Sequence, residues 1–399
     1  MINVIDPSKC CGCTACASIC THNAISMCPD NLGFLYPKTD MSKCVDCGLC
    51  DSVCTFNDNY DISLNFKEPE AFGVRHKNSF EVDTSRSGAA FIAFSDRILE
   101  HKGVVYGAGY TKEFDVVHKR AETKLQRDEF KGSKYVQSDL RGIFHQIKND
   151  LKAGKLVMFS GTPCQTSALA SYIGDKLREN LFLIDIVCHG VPGPNLWHDY
   201  LKYLEKNGKK ISSVNFRDKK RFGWAAHKES FMFGDTYYTP YAYPFSHMFY
   251  QHIALRQSCG NCHFCNIHRP SDITLADFWG WEKTDQNINS DDKGISLVLL
   301  NTAKGKSLFE SVVDEIVVVP ANLKDCMQPN LQHPTILHPE RMEFERIYSE
   351  KGFEYTMSKY GYIGFKRNVD VFLDGVMKNV LYMQNVIIRI LRKIKKIIK

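Results

Sequence analysis

Between residues 155 and 208 the chain runs twice through one pattern. KLVMFSGTPCQTSALASYIG (155–174) and LFLIDIVCHGVPGPNLWHDYLKYLEKNG (181–208) each open with a short apolar run, turn at glycine and proline, and continue with apolar residues at helical spacing. The pattern predicts two strand–turn–helix units with parallel strands in a covered sheet. Upstream, DTSRSGAAFIAFSDRILEHKG (83–103) passes from Ser, Thr and Gly into an amphipathic run. That predicts a helix with its N-cap before Ala89; its free amides could hold a phosphate, although taken alone the stretch favours an ordinary capped surface helix. The GAG at 107–109 lacks a third glycine and a following helix, so it reads as a hairpin and not a dinucleotide fingerprint. Residues 55–70 are polar, turn-rich and without helical period, the pattern of a linker. LADFWGW (275–281) reads as a core strand and turn, with Asp277 able to line a site.

At the C-terminus, Met383, Val386, Ile387, Ile390, Leu391, Ile394, Ile397 and Ile398 share an arc of roughly 140° on a helix of 3.6 residues per turn. Arg389, Arg392, Lys393, Lys395, Lys396 and Lys399 fill the other side. Such a helix suits the plane of an anionic membrane surface, and docking on another subunit is the alternative.

Length and composition narrow the classes. A chain of 399 residues with 44% hydrophobic content buries one large core or two moderate ones. No apolar run of about 18 residues occurs, and MINVIDPSKC lacks the zones of a secretory signal, so the expectation is a cytoplasmic protein, peripheral on the inner membrane face if the tail binds lipid. The net charge of +6 equals the charge of those six terminal basic residues, which leaves the preceding 388 residues neutral (+6 − 6 = 0) and without a nucleic-acid footprint. Sixteen cysteines in a reducing compartment point to metal or redox chemistry rather than disulfides.

The cysteine spacing specifies the metal. Cys10, Cys13, Cys16 and Cys20 follow C-x2-C-x2-C-x3-C, and Cys44, Cys47, Cys50 and Cys54 repeat it 34 residues later, with DPSKC (6–10) echoed by DMSKC (40–44). Three thiolates at this spacing wrap one 4Fe-4S cubane, and the fourth points to the partner cluster. The expected sets are Cys10, Cys13, Cys16 with Cys54, and Cys44, Cys47, Cys50 with Cys20. Zinc would want separated Cys pairs. Thr21 and Thr55 stand where proline usually follows the fourth cysteine. Cys11 and Cys28 fit no metal spacing and read as small buried hydrophobes.

Cys259, Cys262 and Cys265 repeat the x2, x2 loop without a nearby fourth thiol. A distant ligand is needed, with Cys188, Cys164 and Cys326 as candidates; zinc completed by His263 or His268 competes. Cys164 and Cys188 fall where strand gives way to turn, the edge at which open α/β sheets bind ligands. Cys164, after Pro163 at a helix start, has a setting that favours thiolate.

GSKYVQS (132–138), FSGTPCQ (159–165), DIVCHGVP (185–192), the Cys259 triplet, DITLADFWG (272–280) and KGISLVLLNTAKG (293–305) occur in one order. Together they resemble the beta-subunit family of coenzyme F420 hydrogenases and dehydrogenases, over roughly residues 1–340. Ala276 stands where that family commonly has glycine. The resemblance implies an FAD-containing iron–sulfur protein with a further cluster in the body; members include electron-input subunits, pigment reductases and bacterial proteins encoded beside surface-polysaccharide enzymes. It implies a mixed α/β fold: a ferredoxin-like dicluster domain (1–58), a linker (59–70), a flavin and iron–sulfur domain (71–345) and a helical tail (346–399). FAD would lie with its phosphates near Ser87 and Gly88, Lys134 as the cation, and its ring near Gln137, Ser138, Thr162, Pro163, Cys164 and Gln165. A solvated surface lysine is the alternative for Lys134.

One-electron clusters and two-electron carbon chemistry meet at a flavin, and clusters near −400 mV suit reduction. The expectation is an oxidoreductase passing electrons from ferredoxin or reduced coenzyme F420 through the clusters, the third completed by Cys188, to FAD and a substrate. A relay subunit without its own substrate is the rival. His189 is a candidate proton donor, with a structural histidine as the alternative.

Overall fold

The computed structural model describes residues 2–56, 60–240, 243–285 and 287–363; the amphipathic segment 383–399 lies outside them. Two cysteine loops flank a hairpin of β1 (Ile25–Pro29) and β2 (Leu35–Thr39). Then come β3 (Asn65–His76), β4 (Val104–Tyr110), β5 (Val116–Ala121), β6 (Val157–Gly161) and β7 (Leu181–Ile186). A small antiparallel sheet holds β8 (Ser213–Asn215), β9 (Ser230–Phe233) and β10 (Thr236–Tyr238). β11 (Ile273–Asp277), β12 (Ser296–Thr302) and β13 (Ile316–Ala321) complete a mixed eight-stranded sheet of order β13-β3-β12-β11-β7-β6-β4-β5.

The four central strands β4, β6, β7 and β11 are parallel, and the outer pairings are antiparallel. Alternation explains the apolar runs. Met158 and Ile184 pack with Ala90, Phe94 and Ile98 of the helix Ala90–Glu100 on one face. Val157, Phe159, Leu181 and Leu183 meet the helices Ile143–Lys152 and Pro163–Ile173 on the other. A strand buried on both faces must be apolar throughout. The expected hairpin at 107–109 exists as β4–β5, but its glycines sit inside β4, where a Cβ on Gly107 would meet Phe130 at 2.7 Å.

Two boundaries differ from the expectation. β3 starts at Asn65, inside the polar stretch, because its backbone pairs with β12 at Asn65 and again from Glu70, across a register shift that leaves Lys67 and Glu68 exposed. The helix Ala90–Glu100 is not capped by Ser or Thr: its N-cap is Ala89, at φ +65°, with no side-chain acceptor. Ser87 is occupied elsewhere, its hydroxyl donating to the Ile295 carbonyl at 2.7 Å. Gly88 is wedged so that a Cβ would lie 2.7 Å from the Ser296 amide.

The cysteine-rich region is built into the body. Leu32 and Phe34, at the hairpin tip, are fully buried against Leu196 and Trp197 of the helix Pro194–Leu204. Each such side chain contributes on the order of 1.5–3 kcal/mol by burial. The helix Arg341–Tyr360, broken at Gly352 (φ +75°), closes the same core through Phe344, Phe353 and Met357. Among the described residues no helix is long and apolar enough to cross a membrane.

Candidate functional site

The two cysteine loops share a local plan. Asp6 accepts from the Ser8 amide at 2.9 Å and Asp40 from the Ser42 amide at 3.0 Å, so each repeat enters its loop through the same aspartate turn. Cys10, Cys13, Cys16 and Cys54 line one cavity, of about 300 Å³. Cys20, Cys44, Cys47 and Cys50 line a smaller cleft. The fourth thiol of each run therefore sits with the other loop. Backbone amides of Ile2 and Ala24 each reach a sulfur, Cys50 and Cys20, at 3.3 Å. Burial pushes the Cys16 thiol well up, so a thiolate there needs a compensating positive core, which iron supplies. Among the described residues no three His, Cys, Asp or Glu side chains are arranged around a single metal ion; the thiols surround voids instead.

The body triplet lies against the first cavity. Cys11, Phe56 and Phe264 form one apolar cluster with Cys13, Cys54, Cys164 and Cys262 at its edge. Cys11 is thus a buried hydrophobe, and it sits between two groups of thiols. Its contact with Cys164 lowers that thiol to about 7. Cys188 lies beside Cys259: a Cβ on Gly190 would be 3.4 Å from the Cys259 Cβ, and burial followed by the Cys259 charge raises the Cys188 thiol. Both Cys164 and Cys188 neighbour the triplet. Cys326 does not, being buried in another cluster with its thiol on the Asn322 carbonyl at 3.2 Å. His263 stacks on Phe56 at 4.6 Å, and His268 is exposed. Half-buried Cys28 lies on β1, in neither cavity. Arg269, 1% exposed, anchors the loop by pairing with fully buried Asp185 at 3.2 Å and donating to the Ile186 carbonyl at 2.9 Å.

A cavity of about 440 Å³ opens where the parallel strands end. Ser87, Lys134, Ser138, Thr162, Gln165, Cys188 and His189 line it; Gly88, Gln137, Pro163 and Cys164 stand behind its wall. Gln165 caps its helix by accepting from the Thr162 amide at 2.9 Å and donates to Ser138 at 3.0 Å. Ser138 lies 2.8 Å from Nδ1 of His118, whose Nε2 faces the Ser160 carbonyl at 3.0 Å. A carbonyl accepts only, so His118 carries its proton on Nε2 and Ser138 donates to Nδ1. Burial keeps His118 neutral, at about 4. The same logic fixes His189. His252 must donate from Nδ1 to the Ile336 carbonyl at 2.8 Å, so its Nε2 accepts from Nε2 of His189 at 2.8 Å. Burial and His252 lower His189 to about 4, so it stands neutral, its one proton on Nε2 and Nδ1 left as a hydrogen-bond acceptor. Gln137 serves elsewhere, donating to the Cys11 carbonyl at 2.8 Å. The Lys134 ammonium turns to the carbonyls of Lys131 and Gly132, at 3.1 and 3.4 Å, and burial lowers it to about 7.

At the β11–β12 end of the cavity stand Arg86, Arg217, His227 and Trp279, with Asp277 beside them. Arg217 pairs with Asp277, and Trp279 stacks on Trp224 at 4.5 Å. Of these only Asp277 had a signal in the sequence, through its place after an apolar strand. Trp279 lies within DITLADFWG and Arg86 within the helix-start stretch 83–103, where neither stood out, and Arg217 and His227 come from segments without a motif, brought in by the fold.

Residues 154–325 match the family described as the C terminus of the beta subunit of coenzyme F420 hydrogenase/dehydrogenase, and residues 3–26 match the 4Fe-4S binding domain. No curated protein matches the sequence. A chain of the F420-reducing [NiFe] hydrogenase complex from Methanosarcina barkeri, solved as a xenon derivative, aligns with 14% identity and a TM-score of 0.45, over 76% of this chain and 94% of that one. The sheet edge and thiol triplet just described fall within the first match and the Cys10–Cys20 loop within the second: residues 154–325 are similar to the C terminus of the coenzyme F420 hydrogenase/dehydrogenase beta subunit, and the chain carries a 4Fe-4S binding domain at its N-terminus.

Proposed function

We propose that this protein is an iron–sulfur flavoprotein oxidoreductase, taking electrons from ferredoxin or a reduced deazaflavin and delivering them to a substrate at the sheet edge, with surface-polysaccharide synthesis as a setting. One observation carries the reading: the thiol groups adjoin one another in a series, Cys16, Cys50 and Cys54 in one apolar cluster and Cys13, Cys54, Cys164 and Cys262 at the edge of the next. The series starts at exposed Cys47, passes the Cys10 cavity, crosses the Cys11–Phe264 cluster and ends at Cys188 in the wall of the large cavity.

In this reading Cys10, Cys13, Cys16 and Cys54 hold one cubane, and Cys44, Cys47, Cys50 and Cys20 the next. Cys259, Cys262, Cys265 and Cys188 hold a third. Cys188 is preferred to Cys164 because it alone of the two lines the cavity. FAD, when bound, converts one-electron delivery into a two-electron step. The chain's own residues bind and orient: the Gln165–Ser138–His118 relay fixes the cavity wall, and neutral His189 keeps Nδ1 as a hydrogen-bond acceptor beside Cys188. Phe264 and Phe56 keep water from the space between thiol groups.

The test is anaerobic purification with metal and flavin analysis. About twelve irons and one FAD per chain are expected. About eight irons with stoichiometric zinc would make 259–265 a zinc knuckle. Absence of flavin would reduce the protein to a relay, and a tightly bound partner would then co-purify.

A further inference from the structure

We infer that Arg86 and Arg217 form a binding subsite for a phosphate-type oxyanion at the β11–β12 end of the large cavity. Both guanidiniums line that cavity. Arg86 donates from Nη2 to the Trp224 carbonyl, but its Nε and Nη1 are buried without a partner among the described residues. Arg217 is 5% exposed; Nη1 serves Asp277, and Nη2 serves the Trp224 carbonyl and His227, each at 3.2 Å, while Nε is likewise unmatched. Buried donors of this kind are nearly always satisfied in a working protein. An acceptor bound against the two guanidiniums would supply the partner that part of this set lacks.

The surroundings select the ligand's charge and shape. The eleven-residue helix Ala90–Glu100 starts in the same cavity wall, and no side chain caps its first turn. Free amides and the helix dipole there favour an anion. Behind Ser87, Lys219 adds a third positive charge, its ammonium reaching the carbonyls of Val82 and Lys293 at 2.6 and 2.7 Å. The one carboxylate facing these cations in the cavity, Asp277, is already spent on Arg217 and on the Trp224 indole at 3.1 Å. Donors arriving from two guanidiniums and a helix end suit a tetrahedral, many-oxygen group better than a planar carboxylate.

A phosphate group there has two sources: the pyrophosphate of a flavin dinucleotide, or a phosphorylated substrate. Only the choice of source rests on the function proposed above. The probe is inorganic pyrophosphate, titrated calorimetrically into the anaerobic full chain, as purified and after flavin removal. Binding to the flavin-free form alone assigns the subsite to the flavin; binding to both assigns it to a substrate. In either case Arg86→Gln should weaken binding by about tenfold or more, and Arg86→Lys should restore part of it, with iron content unchanged in both variants. No binding by either form, or equal binding by Arg86→Gln, overturns the inference. Should the purified protein hold no flavin, pyrophosphate binding that depends on Arg86 upholds the subsite while the flavoprotein reading falls. If Arg86→Gln does not fold, Arg86→Lys decides: its pyrophosphate affinity must fall below that of the unchanged chain, and an equal affinity overturns the subsite.

Discussion

Arg256 donates from Nε to the carbonyl of Cys10 at 2.7 Å, from a side chain only 1% exposed. Its other nitrogens go to Gln137 at 2.9 Å and the Leu35 carbonyl at 2.9 Å, and its guanidinium lies over the Tyr36 ring at 4.3 Å. Among the described residues it has no carboxylate partner, so its natural counter-charge is the thiolate set beside it. A fixed cation favours the more negative, reduced state of an anionic cluster. Arg256→Gln should therefore lower the potential of the cluster bound by Cys10 by on the order of tens of millivolts. Redox titration followed by electron paramagnetic resonance checks this; an unchanged potential would remove Arg256 from any tuning role.

Iron counting separates the thiol sets. On the ligand sets proposed above, Cys54→Ala should strip the cluster of the first loop, and Cys188→Ala the proposed body cluster, each removing about four of about twelve irons. Full iron in Cys188→Ala would transfer that ligand to Cys164.

The Arg269–Asp185 pair ties the triplet loop to the end of β7. Arg269→Ala leaves a fully buried carboxylate unpaired, and breaking such a pair costs about 3–5 kcal/mol. Thermal melting should drop accordingly, with iron lost first from the cluster proposed at the Cys259 triplet.

Glu229, fully buried, accepts from Tyr200 and Ser246, each at 2.7 Å, and faces no cation in those contacts. Burial raises its carboxyl to about 7 from an ordinary 4.5. The folded pKa is the higher one, so its contribution is complete below pH 4.5 and is lost as pH rises through about 7. Glu229→Gln should melt higher than the unchanged protein at pH 8, by on the order of 2 kcal/mol, and no higher at pH 4.5. Parallel melting curves at both pH values would show that the carboxyl ionises without penalty.

The terminal segment 383–399 is tested by sedimentation with anionic vesicles. The full chain should pellet at low salt and be released at high salt, each basic group near the surface contributing on the order of 1 kcal/mol. A chain ending at Tyr382 should stay in the supernatant with its iron retained. Two soluble chains at low salt would point to a protein partner instead.

What was legible in the sequence was local. The x2, x2, x3 spacing and its repeat foretold which thiols would share a cavity, because three ligands come from one short loop and only the fourth must cross. The double strand–turn–helix pattern foretold β6 and β7, since strands covered on both faces need unbroken apolar runs. Asn65 to Glu70 misled, because this end of β3 is held by backbone pairing with β12 that polar side chains do not forbid. Arg86, Arg217 and Arg256 carried no signal: a buried cation is defined by what surrounds it, and those surroundings are assembled from distant segments of the chain.

The exchange of Cys20 and Cys54 between the two cavities also bears on how the protein comes into being and fails. Neither loop can finish its own ligand set, so metal loading and the mutual threading of the two segments become a single cooperative event. Oxidation of Cys54 or Cys20 would therefore strike at the iron of the other loop rather than that of its own, so damage in one segment is felt in its neighbour. Because Leu32 and Phe34 are plugged into the body, loss of that iron would loosen the floor beneath the large cavity, coupling oxygen damage at the surface-exposed end of the series to ligand release at the other.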